Sequence, residues 1–114
     1  MLTEKDYCDY ETCVVLSELG CPVPKYAIIN IHTKEKEWKM WLSLYDALKW
    51  LREEKKIEVL VLSKGMVGAP YDVQVYTEDY VIQEGIEYST YEDGLLEGIK
   101  EAVKILKEEL NEET

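Results

Sequence analysis

The residues of this chain that most readily do chemistry are three cysteines and one histidine among 114 residues. They are Cys8, Cys13, Cys21 and His32, with the spacing C-x4-C-x7-C-x10-H. A zinc knuckle needs a tight C-x2-C pair, which this pattern lacks, and an odd number of cysteines cannot close into a full set of internal disulfides. The sequence therefore predicts no metal, no cofactor and three reduced cysteines, with Cys13 buried on a helix and the other two semi-exposed.

Catalysis by a nucleophile needs a base beside it, and His32 is the only histidine that could serve. It falls on a predicted strand with Asn30 and Thr33 as neighbours, which offer it no catalytic partner. An ordinary surface or half-buried histidine is therefore the prediction.

Adjacent carboxyl groups could in principle serve a glycosidase. Pairs such as Glu78-Asp79 and Glu92-Asp93 do not stand out among 24 acidic residues, and helix capping explains the second pair. We therefore predict no catalytic residue and a protein that is not an enzyme, and a small hydrolase is only the third hypothesis.

The segment KGMVG at residues 64–68 invites comparison with a phosphate-binding loop. It lacks the pattern G-x4-G-K-[ST], and it joins two predicted strands where a phosphate loop would open a helix. Its Gly-x-x-Gly also occurs in RNA-binding KH domains, but there in a basic setting that this chain lacks. A plain hairpin loop is the prediction.

Nine tyrosines and three tryptophans, with no phenylalanine, are the least ordinary feature of the composition. Both side chains combine an apolar ring with a polar group and are enriched at interface hot spots. Rings that cover a thin core, with hydroxyls in water, are an alternative that the sequence leaves open. The first hypothesis is a non-enzymatic protein that binds another protein through an acidic, aromatic face formed by Trp38, Trp41, Tyr71, Tyr76 and Tyr80.

The net charge of −11 is concentrated in residues 78–114, which hold twelve acidic side chains and three lysines. Such a chain should repel nucleic-acid phosphates and anionic membranes, because clustered Lys and Arg are needed to bind either. Neutral or basic protein surfaces are the expected partners, unless the acidity only keeps the protein in solution. The second hypothesis is an inhibitor whose acidic face imitates nucleic acid, and a homodimer is also left open.

The first six residues contain neither a basic nor an apolar leader segment. No apolar run approaches the roughly 18 residues that span a bilayer. A cytoplasmic protein without a signal peptide is therefore expected.

Three helices are predicted from their caps and apolar periodicity. The first helix starts at Asp9 or earlier at Asp6, and Gly20 ends it; Ser43 caps the second helix and Thr90 caps the third. In the third helix, Gly94 and Gly98 are expected to let the helix approach a sheet closely.

Four strands are predicted at residues 26–33, 38–42, 57–62 and 71–76, with 57–62 as a central strand buried on both faces. Residues 78–88 could extend a strand or cover an edge. The order α-β-β-α-β-β-α predicts one α+β domain over residues 1–114, a two-layer sandwich with a mostly antiparallel four-stranded sheet and helices on one face.

Three segments carry a resemblance to a known group of proteins. They are DYETC at residues 9–13, LYDALKWLRE at 44–53 and TYEDGLLEGIK at 90–100. In this order they resemble small uncharacterised proteins of gut Bacteroidales and of their phages and mobile elements, which combine a KWLRE helix, a Tyr-rich hairpin and a final TYEEALEAGI-like helix. This chain departs from that pattern at Gly94, where the group usually has Ala. The resemblance implies an accessory protein of phage or mobile-element type and supplies no catalytic residue.

Overall fold

The computed structural model describes residues 6–63, 71–83 and 87–112. Within these ranges lie three helices and five strands, so the predicted α+β class is confirmed. Along the chain they are α1 (Tyr10–Glu18), β1 (Lys25–Ile29), β2 (Lys36–Met40), α2 (Leu44–Lys55), β3 (Glu58–Ser63), β4 (Tyr71–Tyr76), β5 (Val81–Gln83) and α3 (Tyr91–Glu112). The loop predicted at residues 64–68 lies outside the described residues.

The described strands form two antiparallel sheets, so the prediction of a single four-stranded sheet is wrong. β1 and β2 pair as a hairpin with Ala27 opposite Trp38, and the second sheet has the order β3-β4-β5. β5 comes from the undecided segment 78–88 and pairs Val81 with Tyr76, so it occupies the second edge of β4. The hairpin carries lysines on both strands, and charged edges of this kind discourage pairing with further strands.

β4 is the central strand of the second sheet and β3 lies at its edge, so the prediction that residues 57–62 are central is wrong. Val59 is 3% exposed and lies beneath α3, whereas Leu60 and Leu62 are 37% and 42% exposed. Successive strand residues point to opposite faces, and α3 covers only the face that carries Val59. The continuous apolar run is therefore buried on one side alone.

The helices meet one another as well as the sheet. α3 packs across β3 and β4, α2 packs against α3 and β3, and α1 contacts α3 and β2. The largest fully buried side chains, Leu16, Leu51, Val73, Val75 and Ile99, come from all three helices and from β4. The core therefore depends on α3, which contacts every other helix.

The predicted caps Ser43 and Thr90 are confirmed, and of the two starts predicted for the first helix the structure has Asp9 as the cap. The Asp9 carboxylate, the Ser43 hydroxyl and the Thr90 hydroxyl each accept a hydrogen bond from the backbone N–H three residues on, at 2.9, 3.0 and 3.1 Å. Gly20 follows the end of α1 with φ of 100°, the left-handed conformation that glycine adopts without strain.

β1 ends at Ile29, well short of the predicted residue 33, so the placement of His32 on a strand is wrong. His32 lies in an exposed turn. The Asn30 side chain accepts hydrogen bonds from the backbone N–H groups of His32 at 2.9 Å and Thr33 at 3.1 Å. Asparagine closes turns in this way, and this turn signal outweighs the alternation of the preceding apolar residues.

Gly98 brings α3 closer to the sheet than a side chain would allow. A Cβ atom added at Gly98 would lie 2.3 Å from Val59 Cγ1 and 2.9 Å from Val73 Cγ1. One added at Gly94 would lie 3.2 Å from Val73 Cγ2 and 3.3 Å from Val61 Cγ1. The predicted close approach is confirmed, and Gly98 makes the tighter contact.

We expect Gly98→Ala to lower the free energy of unfolding by about 1–3 kcal/mol, because the added methyl group overpacks two buried valines. Gly94→Ala is the matched control, since its neighbours need to move by only a few tenths of an ångström. Alanine is also the better helix former by about 1 kcal/mol, so this control should change stability little or raise it. Urea denaturation followed by far-UV circular dichroism measures both, and equal losses would contradict the tight contact at Gly98.

Candidate functional site

The starts of α1, α2 and α3 surround two neighbouring cavities of about 410 and 530 Å³. Glu92 lines both cavities, so we treat them as one surface, the helix-start groove. The groove is lined by Asp6, Tyr7, Cys8, Asp9, Met40, Trp41, Ser43, Leu44, Tyr45, Asp46, Leu48, Tyr91, Glu92, Asp93, Leu95 and Leu96.

Backbone hydrogen bonds hold the segment before α1 against the segment before α2. Tyr7 forms an antiparallel bridge with Ser43, and the Cys8 N–H donates to the Leu42 carbonyl oxygen at 2.9 Å. The Tyr7 and Trp41 rings meet edge to face, with centroids 4.9 Å apart. Main-chain hydrogen bonds and this ring contact therefore hold one wall of the groove in place.

Five carboxyl groups line the helix-start groove: Asp6, Asp9, Asp46, Glu92 and Asp93. The described lining residues include no Lys, Arg or His. A helix start carries partial positive charge from its free N–H groups, and this charge offsets part of the repulsion between neighbouring carboxylates. Acidic side chains therefore outnumber basic ones in the lining of the groove, although Asp9 is paired with Lys100.

Asp9 caps α1 and also ties α1 to α3. Its Oδ1 accepts the Thr12 N–H at 2.9 Å, and its Oδ2 lies 3.0 Å from Lys100 Nζ. Burial by itself would raise the pKa of the Asp9 carboxyl, but hydrogen bonds from Thr12 and the ion pair with Lys100 outweigh it and lower that pKa. A carboxyl group of this kind stays ionised at neutral pH and is poorly suited to act as a general acid.

Four aromatic rings stand among these carboxyl groups. Trp41, Tyr45 and Tyr91 are 39%, 65% and 45% exposed, and Tyr7 contacts Trp41. Tyr71 meets Tyr91 edge to face, with ring centroids 6.2 Å apart. Aromatic faces and carboxylates together are the groups that hold ammonium and guanidinium ions, so the groove is suited to bind a cation.

The five residues of the predicted aromatic face lie in different parts of the structure. Trp41 lines the groove, and Tyr71 approaches it through Tyr91. Trp38 is 64% exposed on the β1–β2 hairpin. Tyr76 ends β4 with its hydroxyl hydrogen-bonded to the Gln74 side chain, and Tyr80 is 46% exposed just before β5. That these residues bind a partner stays a prediction.

Sequence reasoning missed Tyr7, Tyr45 and Tyr91 as groove residues, although each lies close to a correctly predicted cap. Periodicity along the chain indicates where a helix starts but not which helix starts meet in space. The local signal that they share is an aromatic residue within two positions of a cap.

Cys13 is fully buried on α1, as predicted, but Cys8 and Cys21 are only 7% and 5% exposed, so their predicted semi-exposure is wrong. The cause is the packing of both flanks of α1: Cys8 is held against Leu42, and the Cys21 N–H donates to the Leu16 carbonyl oxygen. All three cysteines are free thiols.

In the described ranges, no set of three or more His, Cys, Asp or Glu side chains is arranged to hold a metal ion. The helices described here also include none with the length and apolar character needed to span a bilayer. Comparison of the chain with protein-family models, with curated proteins and with solved structures found no match in any of the three.

We expect Asp9→Ala to lower the free energy of unfolding at neutral pH by about 1 kcal/mol, the usual effect of losing an N-cap. Asp9→Asn keeps a cap acceptor but loses the ion pair with Lys100, so its stability should lie between Asp9→Ala and the parent protein.

The pH dependence of this comparison tests the ionised form of Asp9. Because folding lowers the pKa of Asp9 below its ordinary value of 3.8, the carboxylate stabilises the protein above that pH and loses this contribution as the pH falls further. Urea denaturation at neutral and acidic pH should therefore show a smaller gap between Asp9→Asn and the parent protein in acid. A gap that persists unchanged in acid would contradict the role assigned to the carboxylate.

Proposed function

We propose that this chain is a non-enzymatic protein-binding protein whose helix-start groove receives a positively charged segment of a partner protein. The observation that carries this proposal is the placement of five carboxyl groups among four aromatic rings in one groove. Its two cavities, of about 410 and 530 Å³, have the size of typical ligand pockets.

Lys and Arg side chains suit such a groove for two physical reasons. Their apolar stems pack along aromatic rings. Their charged ends interact with ring faces and form ion pairs with carboxylates. Arg also forms paired hydrogen bonds with a carboxylate, which adds geometric specificity. A segment with two or more such side chains could occupy both cavities, since Glu92 lies between them.

The overall charge of the chain favours the same class of partner. A net charge of −11 attracts basic protein surfaces over a distance set by ionic strength, and it opposes phosphate-rich partners. An accessory protein of phage or mobile-element type, which the sequence resemblance implies, would act by this kind of binding.

The nucleic-acid mimic is the alternative from another class, and α3 is where its acidic residues are densest. Mimicry needs a row of carboxylates without neutralising bases between them. On α3 the row is interrupted by Lys100, Lys104 and Lys107, and Lys100 Nζ lies 3.5 Å from Glu97 Oε1. We therefore place the binding surface at the groove and not along α3.

A comparison of two exposed tryptophans tests the groove. We expect Trp41→Ala to weaken binding of Lys- and Arg-containing peptides by about tenfold or more, as removal of an aromatic hot spot does. Trp38→Ala is the matched control, because Trp38 is also exposed but does not line the groove. Isothermal titration calorimetry with peptides of equal length and increasing positive charge gives the affinities, at low and at high salt.

Affinity should rise with the number of positive charges on the peptide and fall as the salt concentration rises. Glu92→Gln should weaken both the charge dependence and the salt dependence of the affinity. Equal losses in the two tryptophan variants would contradict the groove as the binding surface. Binding of a basic nucleic-acid-binding protein that duplex DNA displaces, and that Trp41→Ala leaves unchanged, would favour the mimic instead.

A further inference from the structure

Residues 25–40 form a hairpin, made of β1 and β2, that is exposed on both of its faces. The Trp41 N–H donates to the Pro24 carbonyl oxygen at 3.2 Å at its base, and the Asn30 N–H donates to the Glu35 carbonyl oxygen at 3.0 Å near its tip. β2 also contacts α1. A two-stranded hairpin is only marginally stable in water unless something packs against it. We call residues 25–40 the arm.

Large apolar side chains are exposed along the arm. Ile28 and Ile29 are consecutive on β1 and therefore point to opposite faces, yet they are 50% and 52% exposed. Ile31 and Trp38 are 74% and 64% exposed. Exposed apolar side chains that cluster in this way are typical of a surface that a partner covers.

The two faces of the arm differ in charge. The strand register places one set of side chains together, which we call the arm face: Lys25, Ala27, Ile29, Lys36 and Trp38. On the other face, Glu37 Oε1 lies 2.9 Å from Lys39 Nζ, so these two charges offset each other. The arm face therefore carries two lysines and no acidic residue.

The arm is basic in an acidic chain. Residues 25–40 hold four lysines and two glutamates, a net charge of +2 in a chain whose net charge is −11. Lys25 and Lys36 are exposed, and neither forms an ion pair with another described residue. The helix-start groove holds five carboxyl groups and, among its described lining residues, no basic one. The arm face and the groove are therefore complementary in charge, and both present apolar surface.

The arm does not occupy the groove of its own chain. Trp38 is not among the groove residues, and its ring remains exposed. The arm face meets the groove at Met40, which lies opposite Lys25 in the hairpin and also lines the 410 Å³ cavity. Arm and groove therefore adjoin on one surface, and an arm that fills the groove must come from a second copy.

We propose that the groove binds the arm of a second copy, so that two copies exchange arms in a symmetric dimer. This inference names the partner of the groove and rests on the proposed function. A two-fold axis beside Met40 would place each arm face against the opposite groove, which closes the assembly at two copies. Trp38 and Ile29 would then pack against the aromatic rings of the groove, and Lys25 and Lys36 would pair with its carboxylates.

Sedimentation equilibrium from about 1 μM to about 1 mM measures this self-association. We expect a dimer in the parent protein, which Trp38→Ala on the arm and Trp41→Ala in the groove each weaken by about tenfold or more. Tyr80→Ala is the matched control, because Tyr80 is also exposed but belongs to neither surface. Far-UV circular dichroism verifies that each variant is folded.

An exchange of charge tests the contact itself. We expect Lys36→Glu and Glu92→Lys each to weaken the dimer, and an equal mixture of the two variants to restore it. In the mixed dimer, each arm again meets a groove of opposite charge at the altered position. Lys104→Glu is the matched control, since Lys104 is exposed on α3 and its replacement changes the charge equally outside both surfaces. The dimer should also dissociate more readily as the salt concentration rises.

A parent protein that stays monomeric would overturn the arm exchange, as would a dimer that Trp41→Ala leaves intact or a mixture that does not restore it. The proposed function is tested separately with Trp38→Ala, whose groove is unchanged. Binding of basic peptides to this variant, with a monomeric parent protein, would overturn the arm exchange alone. A Trp38→Ala groove that binds no basic peptide would contradict the proposed function.

Discussion

The contact between α3 and the three-stranded sheet is the constraint on which the other elements depend. Gly98 has no side chain, so the helix backbone lies directly over Val59 and Val73. Held at that distance, α3 turns Ile99 and Ala102 into the core, where both are fully buried. α1 and α2 then pack against α3, and their positions follow from where α3 lies. A helix that stood farther from the sheet would leave these side chains with gaps to fill.

The meeting of the helix starts is a consequence of that packing, and it explains why negative charge gathers there. Helix starts favour acidic and hydroxyl side chains, because these accept hydrogen bonds from free N–H groups and complement the helix dipole. Asp9, Ser43 and Thr90 are caps, and Asp46, Glu92 and Asp93 lie in first turns. A single helix start of this kind only stabilises its own helix. Three starts around the same cavities place several carboxylates within one groove, so a local stabilising rule produces a concentrated acidic surface.

The sequence was sufficient for features that depend on neighbours along the chain. It predicted the caps Asp9, Ser43 and Thr90, the burial of Cys13 and the close approach at Gly98 and Gly94, because each follows from local backbone chemistry or helical spacing. It failed where the answer depends on residues far apart. Strand order needed the knowledge that Val81 pairs with Tyr76, and the burial of Cys8 and Cys21 needed the position of the segments that flank α1. The groove joins residues 6–9, 40–48 and 91–96, and periodicity within any one of these segments carries no information about the other two.

Burial has different consequences for the cysteines in and around α1. A buried thiol loses the water that would stabilise its thiolate, which accounts for the raised pKa of Cys21. Cys13 is at least as deeply buried, yet its pKa is lowered, because hydrogen bonding with Cys8 and with the Leu42 backbone outweighs burial. The same segment of chain that supplies Cys8 also supplies Tyr7 to the groove, and its backbone is held by Leu42 and Ser43. The segment before α1 therefore joins the buried cysteines to the aromatic wall of the groove through adjacent residues and main-chain hydrogen bonds.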